Sequence, residues 1–229
     1  MSNQGNIWEK EYRNPLLVTK NEGPQADTLR FLKFLKKDRK YRVEDKVVLD
    51  LGCGTGRNAN YLAERGNKVI GIEISKTALN LAKERAKNLG VEVNYRLGDI
   101  GEKYEIKDNS VDIVIDVTSS NSLNETGREN YLNEVNRVLK KGGYFFVRAL
   151  AKDGNKNVKN LLKDNPGREY DTYIIKEIGL TERVLSRDDF VKMYGNYFKI
   201  IKLEKKTSYT TFNNRIYKRD YWLAYMSKK

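Results

Sequence analysis

Histidine is absent from the 229 residues of this chain, and cysteine occurs once, as Cys53. Histidine is the commonest general base near neutral pH and the commonest metal ligand, so its absence narrows any catalytic mechanism. A single cysteine excludes a disulfide within the chain and a zinc site built from several cysteines. We therefore expect no disulfide framework and no bound metal.

Long apolar runs are also missing. No stretch approaches the roughly 18 to 20 apolar residues that a membrane-spanning helix needs, and residues 1–14 are too polar for a signal peptide. With the single cysteine, these features favour a cytoplasmic protein without a membrane partner. The length fits one domain around one core, with or without an inserted cap.

The charge balance is basic and uneven. The chain has 44 Lys and Arg against 31 Asp and Glu, a net charge of +13, with −2 in residues 47–138, +4 in residues 1–46 and +11 in residues 139–229. Basic flanks attract nucleic acid, anionic lipid or acidic small molecules. The basic residues are dispersed, however, which favours the plainer interpretation of a solvated, lysine-rich surface.

Apolar runs alternate with helical periodicity through the middle of the chain. The runs predict five strands, at 46–50, 68–73, 91–97, 111–117 and 144–150. Strands separated by amphipathic helices indicate a parallel sheet with helices on both faces and right-handed crossovers.

The two ends of the chain follow different patterns. A helix is predicted at 28–37, before the first strand. Beyond residue 150 the pattern weakens, with a short antiparallel excursion at 170–185 and a helix from Ser186, its predicted N-cap, to Tyr194. Two further strands, 197–203 and 219–226, suit an antiparallel pair at the edge of the sheet.

A glycine-rich turn follows the first strand, in the segment Asp50-Leu-Gly-Cys-Gly-Thr-Gly-Arg-Asn58. Glycines let backbone N–H groups approach a ligand closely, and the N-terminus of the next helix adds partial positive charge. The dinucleotide pattern G-x-G-x-x-G fits poorly. Arg57 stands at its third glycine counted from Gly52, and Ala59 stands there counted from Gly54.

These residues resemble the class I S-adenosylmethionine-dependent methyltransferases, whose first motif is an acid followed by three alternating glycines. The block from Gly52 to Asn58, with Gly66 further on, is similar to the small-molecule and tellurite-resistance-type branch. The resemblance covers about residues 45–150. It implies S-adenosyl-L-methionine as cofactor and a Rossmann-like α/β fold, with a seven-stranded, mostly parallel sheet, an antiparallel edge strand and helices on both faces.

The resemblance also implies roles for residues at the strand ends. Glu73 would bind both ribose hydroxyls, because a carboxylate can accept from two adjacent donors. Asp99 would accept from the adenine amino group. The apolar Ile74 and Ile100 would lie beside the adenine. The complete implied cofactor-binding set is Tyr12, Asp50, Gly52, Cys53, Gly54, Gly56, Asn58, Glu73, Ile74, Asp99, Ile100, Asp116 and Val117.

Asp116 is the candidate catalytic residue. In the family, the backbone at Asp116 and Val117 would line the methionine moiety. Asp116 could screen the positive charge of the sulfonium, orient an acceptor or be only an acid that ends a strand. Without histidine, the candidate bases are Asp116, a tyrosine and solvent. Cys53 is interpreted as a small residue beside the cofactor. Tyr12 either contacts the methionine end or packs a terminal helix.

The expected organisation is an N-terminal helical lid at 1–46, a cofactor-binding core at 47–150, a substrate cap at 151–195 and a C-terminal strand pair at 196–229. The expected function is methyl transfer to a small-molecule acceptor, through O, N, S or a metalloid, by in-line displacement. Two alternatives stay open: an RNA or tRNA methyltransferase, favoured by the basic flanks, and a non-catalytic cofactor-binding partner subunit. The patterns leave the acceptor and the oligomeric state open.

Overall fold

The computed structural model describes residues 3–17, 23–213 and 215–229. The expected N-terminal lid at 1–46 includes residues 1–2 and 18–22, which lie outside the described residues. The helices are α1 (Asn3–Arg13), α2 (Ala26–Asp38), α3 (Arg57–Ala63), α4 (Lys76–Leu89), α5 (Glu125–Val138), α6 (Lys156–Asp164) and α7 (Arg187–Gly195). The strands are β1 (Val47–Leu51), β2 (Lys68–Glu73), β3 (Asn94–Leu97), β4 (Val111–Val117), β5 (Leu139–Leu150), β6 (Thr172–Ile175), β7 (Leu180–Arg183), β8 (Phe198–Phe212) and β9 (Arg215–Lys228).

Seven strands form the main sheet, in the order β3-β2-β1-β4-β5-β9-β8. Strands β1 to β5 pair in parallel, whereas β9 runs antiparallel to both β5 and β8. The predicted seven-stranded α/β sheet is therefore confirmed, as is the antiparallel pair at its edge. The reversed strand, β9, lies second from the edge, because β8 occupies the edge itself.

The core lies on both faces of this sheet. Successive side chains of a strand point to opposite faces, and Phe145 and Phe146 accordingly belong to two different clusters of buried residues. On one face Phe145 packs with Tyr131 and Phe198, and on the other Phe146 packs with Phe31. Helices cover both faces as predicted.

Several elements differ in extent from the prediction. Strand β5 begins at Leu139 instead of 144, since Leu139 pairs with Val111 ahead of a register shift in β4. The polar stretch 152–168, where the sequence pattern weakens and no element was predicted, contains α6, whose N-cap Asn155 accepts a hydrogen bond from the N–H of Val158. Ser186 caps α7 as predicted.

The segment after β5 forms a small hairpin, β6–β7, and the β8–β9 hairpin is much longer than expected. The β6–β7 pair is a separate two-stranded sheet, which confirms the predicted antiparallel excursion. The β8–β9 hairpin reaches back to the N-terminal segment, where the N–H of Asn213 donates to the carbonyl of Leu16. None of the helices in the described part of the chain has the length and apolarity needed to cross a membrane.

Candidate cofactor and acceptor site

A cleft of about 1260 Å³ opens at the carboxyl ends of β1, β2, β4 and β5. The α1 helix, the β6–β7 hairpin and the β8–β9 hairpin complete its walls. Most of the predicted cofactor residues line it together: Tyr12, Asp50, Gly52, Cys53, Gly54, Asn58, Glu73, Ile74, Asp99, Ile100 and Val117. Gly56 and Asp116 do not line it.

Glu73, at the end of β2, is hydrogen-bonded to the glycine turn. Its Oε2 accepts a hydrogen bond of 2.9 Å from the N–H of Gly54, and its Oε1 accepts one of 2.9 Å from the N–H of Ser75. Burial raises the pKa of this carboxyl, and the N–H donors oppose the rise. The carboxylate therefore sits at the wall of the cleft in a fixed orientation, with acceptor capacity beyond these two bonds.

The glycine turn requires glycine for two reasons at Gly52 and Gly54. Both have positive φ, of 63° and 54°, a conformation that costs other residues about 1–2 kcal/mol. A Cβ at Gly52 would also lie 2.2 Å from Oγ of Ser119, and one at Gly54 would lie 2.6 Å from the hydroxyl oxygen of Tyr12. The backbone of the turn thus lies directly against the cleft, in space that a side chain at these positions would occupy.

Gly56 has a packing role instead. A Cβ there would lie 2.2 Å from the hydroxyl oxygen of Tyr95, which donates a 2.6 Å hydrogen bond to Oδ1 of Asn60. The side chain of Tyr95 thereby supports the glycine turn from beneath. The Cys53 side chain is buried beside it, 2.9 Å from where a Cβ of Gly71 would stand, and burial raises the pKa of its thiol.

Asp50 is the unusual acid of the site. It is buried, and among the described residues its Oδ2 has no hydrogen-bond partner. Burial raises the pKa of Asp50 to about 8, with further increases from the nearby carboxylates of Asp116 and Glu73. A buried, unpartnered carboxyl oxygen at a cleft fits a cationic ligand group, and S-adenosylmethionine carries both an ammonium and a sulfonium.

Asp99 and Ile100 lie across the cleft, after β3. Asp99 accepts a 2.8 Å hydrogen bond from the N–H of Gly101, which orients its carboxylate. Ile100 is buried, and its carbonyl accepts from the hydroxyl of Tyr104. A polar acceptor beside an apolar side chain is an arrangement that suits the edge and face of a purine.

Asp116 is fully buried and faces away from the cleft. Its carboxylate accepts hydrogen bonds from the backbone N–H groups of Ser119 and Ser120 and, at 2.7 Å, from the hydroxyl of Tyr131. The turn that it holds places Ser119 so that its hydroxyl donates to the carbonyl of Gly52. The geometry therefore gives Asp116 a positioning role and no exposed oxygen with which to take a proton from an acceptor.

Comparison with known proteins identifies the family of this fold and site. A family model described as a methyltransferase domain matches residues 48–143. An uncharacterised methyltransferase of Schizosaccharomyces pombe is 34% identical over 104 residues, which are 45% of this chain and 71% of the relative. The chain belongs to the class I S-adenosylmethionine-dependent methyltransferases. The finer resemblance to the tellurite-resistance-type branch stays a prediction.

Two further matches concern methyltransferases with stated acceptors. The 2-heptyl-1-hydroxyquinolin-4(1H)-one methyltransferase of Mycobacteroides abscessus is 35% identical over 101 residues, 44% of each chain. The structure of 1,6-didemethyltoxoflavin-N1-methyltransferase from Burkholderia thailandensis, with bound 1,6-didemethyltoxoflavin and S-adenosylhomocysteine, aligns with a TM-score of 0.72. It is 17% identical and covers 99% of this chain and 87% of that one, which shows the shared fold.

The α1 helix of this methyltransferase is fastened over the cleft by Glu9, which the sequence analysis missed. Oε1 of Glu9 accepts from the hydroxyl of Thr77, and Oε2 accepts from the hydroxyl of Ser75, both at 2.7 Å. These hydrogen bonds, led by that of Ser75, lower the pKa of Glu9 to about 2. Tyr12, on the same helix, is thereby held above Gly54. Nothing in the local sequence distinguishes Glu9 from a solvated helix acid.

Arg148 is the second site residue that the sequence analysis missed. It stands in the apolar strand β5 and lines the cleft, and its Nε donates a 3.2 Å hydrogen bond to Oδ2 of Asp27. Its guanidinium carbon lies 3.4 Å from the centre of the Tyr221 ring. A single arginine within the otherwise apolar run from Tyr144 to Leu150 was the available signal. The sequence around Asp27 gave no such signal.

Proposed function

We propose that this methyltransferase transfers the methyl group to a small-molecule acceptor by in-line displacement, with the acceptor held between the sheet and the two hairpins. The carrying observation is that the cleft extends past the candidate cofactor residues to the β6–β7 and β8–β9 hairpins. Its volume of about 1260 Å³ exceeds the roughly 300–1,000 Å³ typical of a pocket for one ligand. The space suits a cofactor and a small acceptor together.

The walls of this further part of the cleft come from the expected cap and the β8–β9 hairpin. Ile174 and Thr181 face the cleft from the β6–β7 hairpin, and residues 208–211 face it from β8. The β6–β7 wall is braced by Glu182, which accepts a 2.6 Å hydrogen bond from the hydroxyl of Tyr173 and pairs with Arg219 at 3.2 Å. Walls on these sides of the cleft support a small acceptor more than an extended polymer.

The cofactor end is proposed to follow the family pattern on the residues that line the cleft. Glu73 would hold the ribose hydroxyls, Asp99 and Ile100 the adenine, and Asp50 the cationic methionine end. The orientation of Glu73 by Gly54 and the unpartnered oxygen of Asp50 support these roles. The bound cofactor would supply an activated methyl group on a sulfonium.

The contribution of the protein itself would be alignment and exclusion of water. Holding two reactants in line can supply roughly 7 to 11 kcal/mol of the barrier, and a closed site prevents competing reactions with water. Because Asp116 is buried away from the cleft, any proton would leave to solvent or to a tyrosine of the cleft. An acceptor that is already ionised would need no base.

The two relatives with stated acceptors support a small-molecule substrate, since both are named for heterocyclic compounds. The rival is an RNA acceptor, favoured by the net charges of +4 and +11 in the flanks. An enzyme that contacts several phosphates loses affinity steeply as salt rises, in proportion to the number of contacts. A flat salt dependence of tRNA binding would therefore remove the rival.

The test is transfer of labelled methyl from S-adenosylmethionine into a cell extract that is then separated into RNA, protein and small-molecule fractions. We expect label in the small-molecule fraction. At a low concentration of S-adenosylmethionine a Glu73→Gln variant should transfer less label, whereas Glu64→Gln, a matched change at an exposed position, should transfer it normally. Label in RNA would overturn the proposed acceptor class. Cofactor binding without transfer to any fraction would favour a non-catalytic partner subunit.

A further inference from the structure

Arg148 lies beside the end of β4, whose backbone is predicted to line the methionine moiety of the cofactor. It pairs across the sheet with Val117, the cleft residue at the end of β4, and its carbonyl accepts a 2.9 Å hydrogen bond from the N–H of Thr118. Its side chain has an exposed fraction of 10%, and it lines the cleft. Burying an arginine is costly unless its charge is paired, and Asp27 pairs with the Nε of Arg148.

The orientation of the Arg148 guanidinium is set from two sides. Nε donates to Asp27, and the plane lies against the Tyr221 ring, 3.4 Å from its centre. Among the described residues the two terminal nitrogens, Nη1 and Nη2, have no hydrogen-bond partner. The side chain therefore presents one edge of a planar fork, the geometry that binds a carboxylate with two parallel hydrogen bonds.

Asp27 does not neutralise this end of the cleft. It is 1% exposed and pairs with Lys206 and, at 3.9 Å, with Arg30 as well as with Arg148, so one carboxylate faces three cations. Arg57, which also lines the cleft, is near enough for the charge of Arg148 to contribute to lowering its pKa, after burial and Arg85. Of the other acids that line the cleft, Asp50 and Glu73 lie at the cofactor end, and Glu182 is paired with Arg219.

We propose that the acceptor is a small organic acid whose carboxylate is bound by the two terminal nitrogens of Arg148. The inference rests on the proposed function and adds the chemical class of the substrate. It also gives Lys206 and Tyr221 a role, since they hold Asp27 and the guanidinium plane in the orientation that receives the acid.

The test uses matched acid and amide probes on the enzyme saturated with S-adenosylhomocysteine. Benzoate and phenylacetate are compared with benzamide and phenylacetamide by calorimetry. We expect each acid to bind at least tenfold more tightly than its amide, and more weakly at higher salt. Equal affinity of acid and amide, or no binding of either acid, would overturn the inference.

Three variants test whether the acid probes bind at Arg148. Arg148→Lys keeps a cation beside Asp27 but loses the planar fork, and Arg148→Gln loses both. We expect both to bind the acids at least tenfold more weakly while their affinity for S-adenosylhomocysteine stays within about twofold of the original enzyme. Arg187→Gln, the same loss of charge at an exposed position away from the cleft, should bind the acids normally.

The outcomes separate this inference from the proposed function. Unchanged acid binding in Arg148→Lys would overturn the role of the fork. A loss of S-adenosylhomocysteine binding in the Arg148 variants would overturn the inference by making Arg148 a ligand of the cofactor. Failure of the original enzyme to bind S-adenosylhomocysteine would instead count against the proposed cofactor site.

Discussion

The N–H of Gly54 donates a 2.9 Å hydrogen bond to Oε2 of Glu73. The acid that ends β2 and the glycine turn that follows β1 therefore orient each other before any ligand arrives. A ligand that binds Glu73 then meets a carboxylate and a turn that are already in place, which reduces the entropy lost on binding.

This pair makes Glu73 the first position to test. Glu73→Gln should weaken binding of S-adenosylhomocysteine by about 1–3 kcal/mol, because a charge-assisted pair of hydrogen bonds to the ribose would be lost. Titration calorimetry measures the change directly. The exposed Glu64→Gln serves as the control, and an unchanged dissociation constant for Glu73→Gln would remove Glu73 from the site.

Two glycines offer a matched comparison of strain and crowding. Gly52 and Gly66 both have positive φ, but a Cβ at Gly52 would meet Ser119 whereas one at Gly66 would meet nothing within 4 Å. Each Gly→Ala change should cost about 1–2 kcal/mol for the backbone conformation, and Gly52→Ala should cost more. Urea unfolding measures the difference in cost. A double variant, Gly52→Ala with Ser119→Gly, should show a smaller difference. Equal costs for the two alanine variants would show that crowding at Gly52 is absent.

Asp50 should make cofactor binding release protons. Burial first, then Asp116 and Glu73, raise the pKa of Asp50 from 3.8 to about 8, so the free enzyme holds this proton at pH 7. A cationic ligand beside the carboxyl lowers that pKa. Calorimetry at pH 7 in two buffers of different ionisation enthalpy should therefore detect proton release with S-adenosylmethionine. Asp50→Asn should abolish the release, and its absence in the original enzyme would contradict the assignment.

The same pKa shift predicts the sign of a stability change. Between about pH 4 and pH 8 the folded chain binds more protons at Asp50 than the unfolded chain does. The contribution of this residue to the free energy of unfolding therefore falls as pH rises through that window. Unfolding of Asp50→Asn should lack this part of the pH dependence.

Glu9 should control the docking of α1. Its pKa is lowered to about 2, chiefly by the Ser75 hydroxyl, so its contribution to stability is complete above about pH 4.5 and is lost as pH falls toward 2. At neutral pH, Glu9→Gln should loosen α1, speed tryptic cleavage at Arg13 and lower the affinity for S-adenosylhomocysteine. Asn6→Ala, at an exposed position of the same helix, is the control. Unchanged cleavage would show that Glu9 does not fasten the helix.

Mutation can distinguish a positioning role of Asp116 from a catalytic one. Because its carboxylate holds the N–H groups of Ser119 and Ser120, Asp116→Asn should lower stability and affinity for S-adenosylhomocysteine together. Tyr131→Phe, which removes only one hydrogen bond to that carboxylate, should have the same effects to a smaller degree. A loss of turnover with normal stability and normal affinity would instead identify Asp116 as the base.

The order of strands and helices between residues 46 and 150 could be predicted because each depends on neighbours in the sequence. Apolar runs that end in an acid or in glycines set β1 and β2, and the glycine turn between β1 and α3 needs a backbone that only glycine adopts easily. The family motif lies in the same segment. For these reasons the fold class follows from local pattern, and so does the prediction that the glycine turn binds the cofactor.

The long β8–β9 hairpin and α6 were harder to predict. Beyond Leu203 the β8 strand is polar and half exposed, so it lacks the alternation that marks a buried strand. It is extended because it pairs with β9 up to Arg215, and that pairing is invisible in either segment alone. The helix α6 has apolar residues at helical spacing, Val158, Leu161 and Leu162, but it is only nine residues long, so its period is easily missed among the polar residues around it.

Local pattern determined that this chain is a parallel α/β methyltransferase with a glycine turn, an acid at the end of β2 and no histidine for catalysis. Only the tertiary structure decided that Asp116 points into the core, that Glu9 fastens α1 to α4, and that Asp27 meets Arg148 across 121 positions of sequence. The physical reason is the separation in sequence of the residues that interact. Turn conformation and strand periodicity are set by neighbours in the chain. The partner of a buried charge is set by which distant elements pack together.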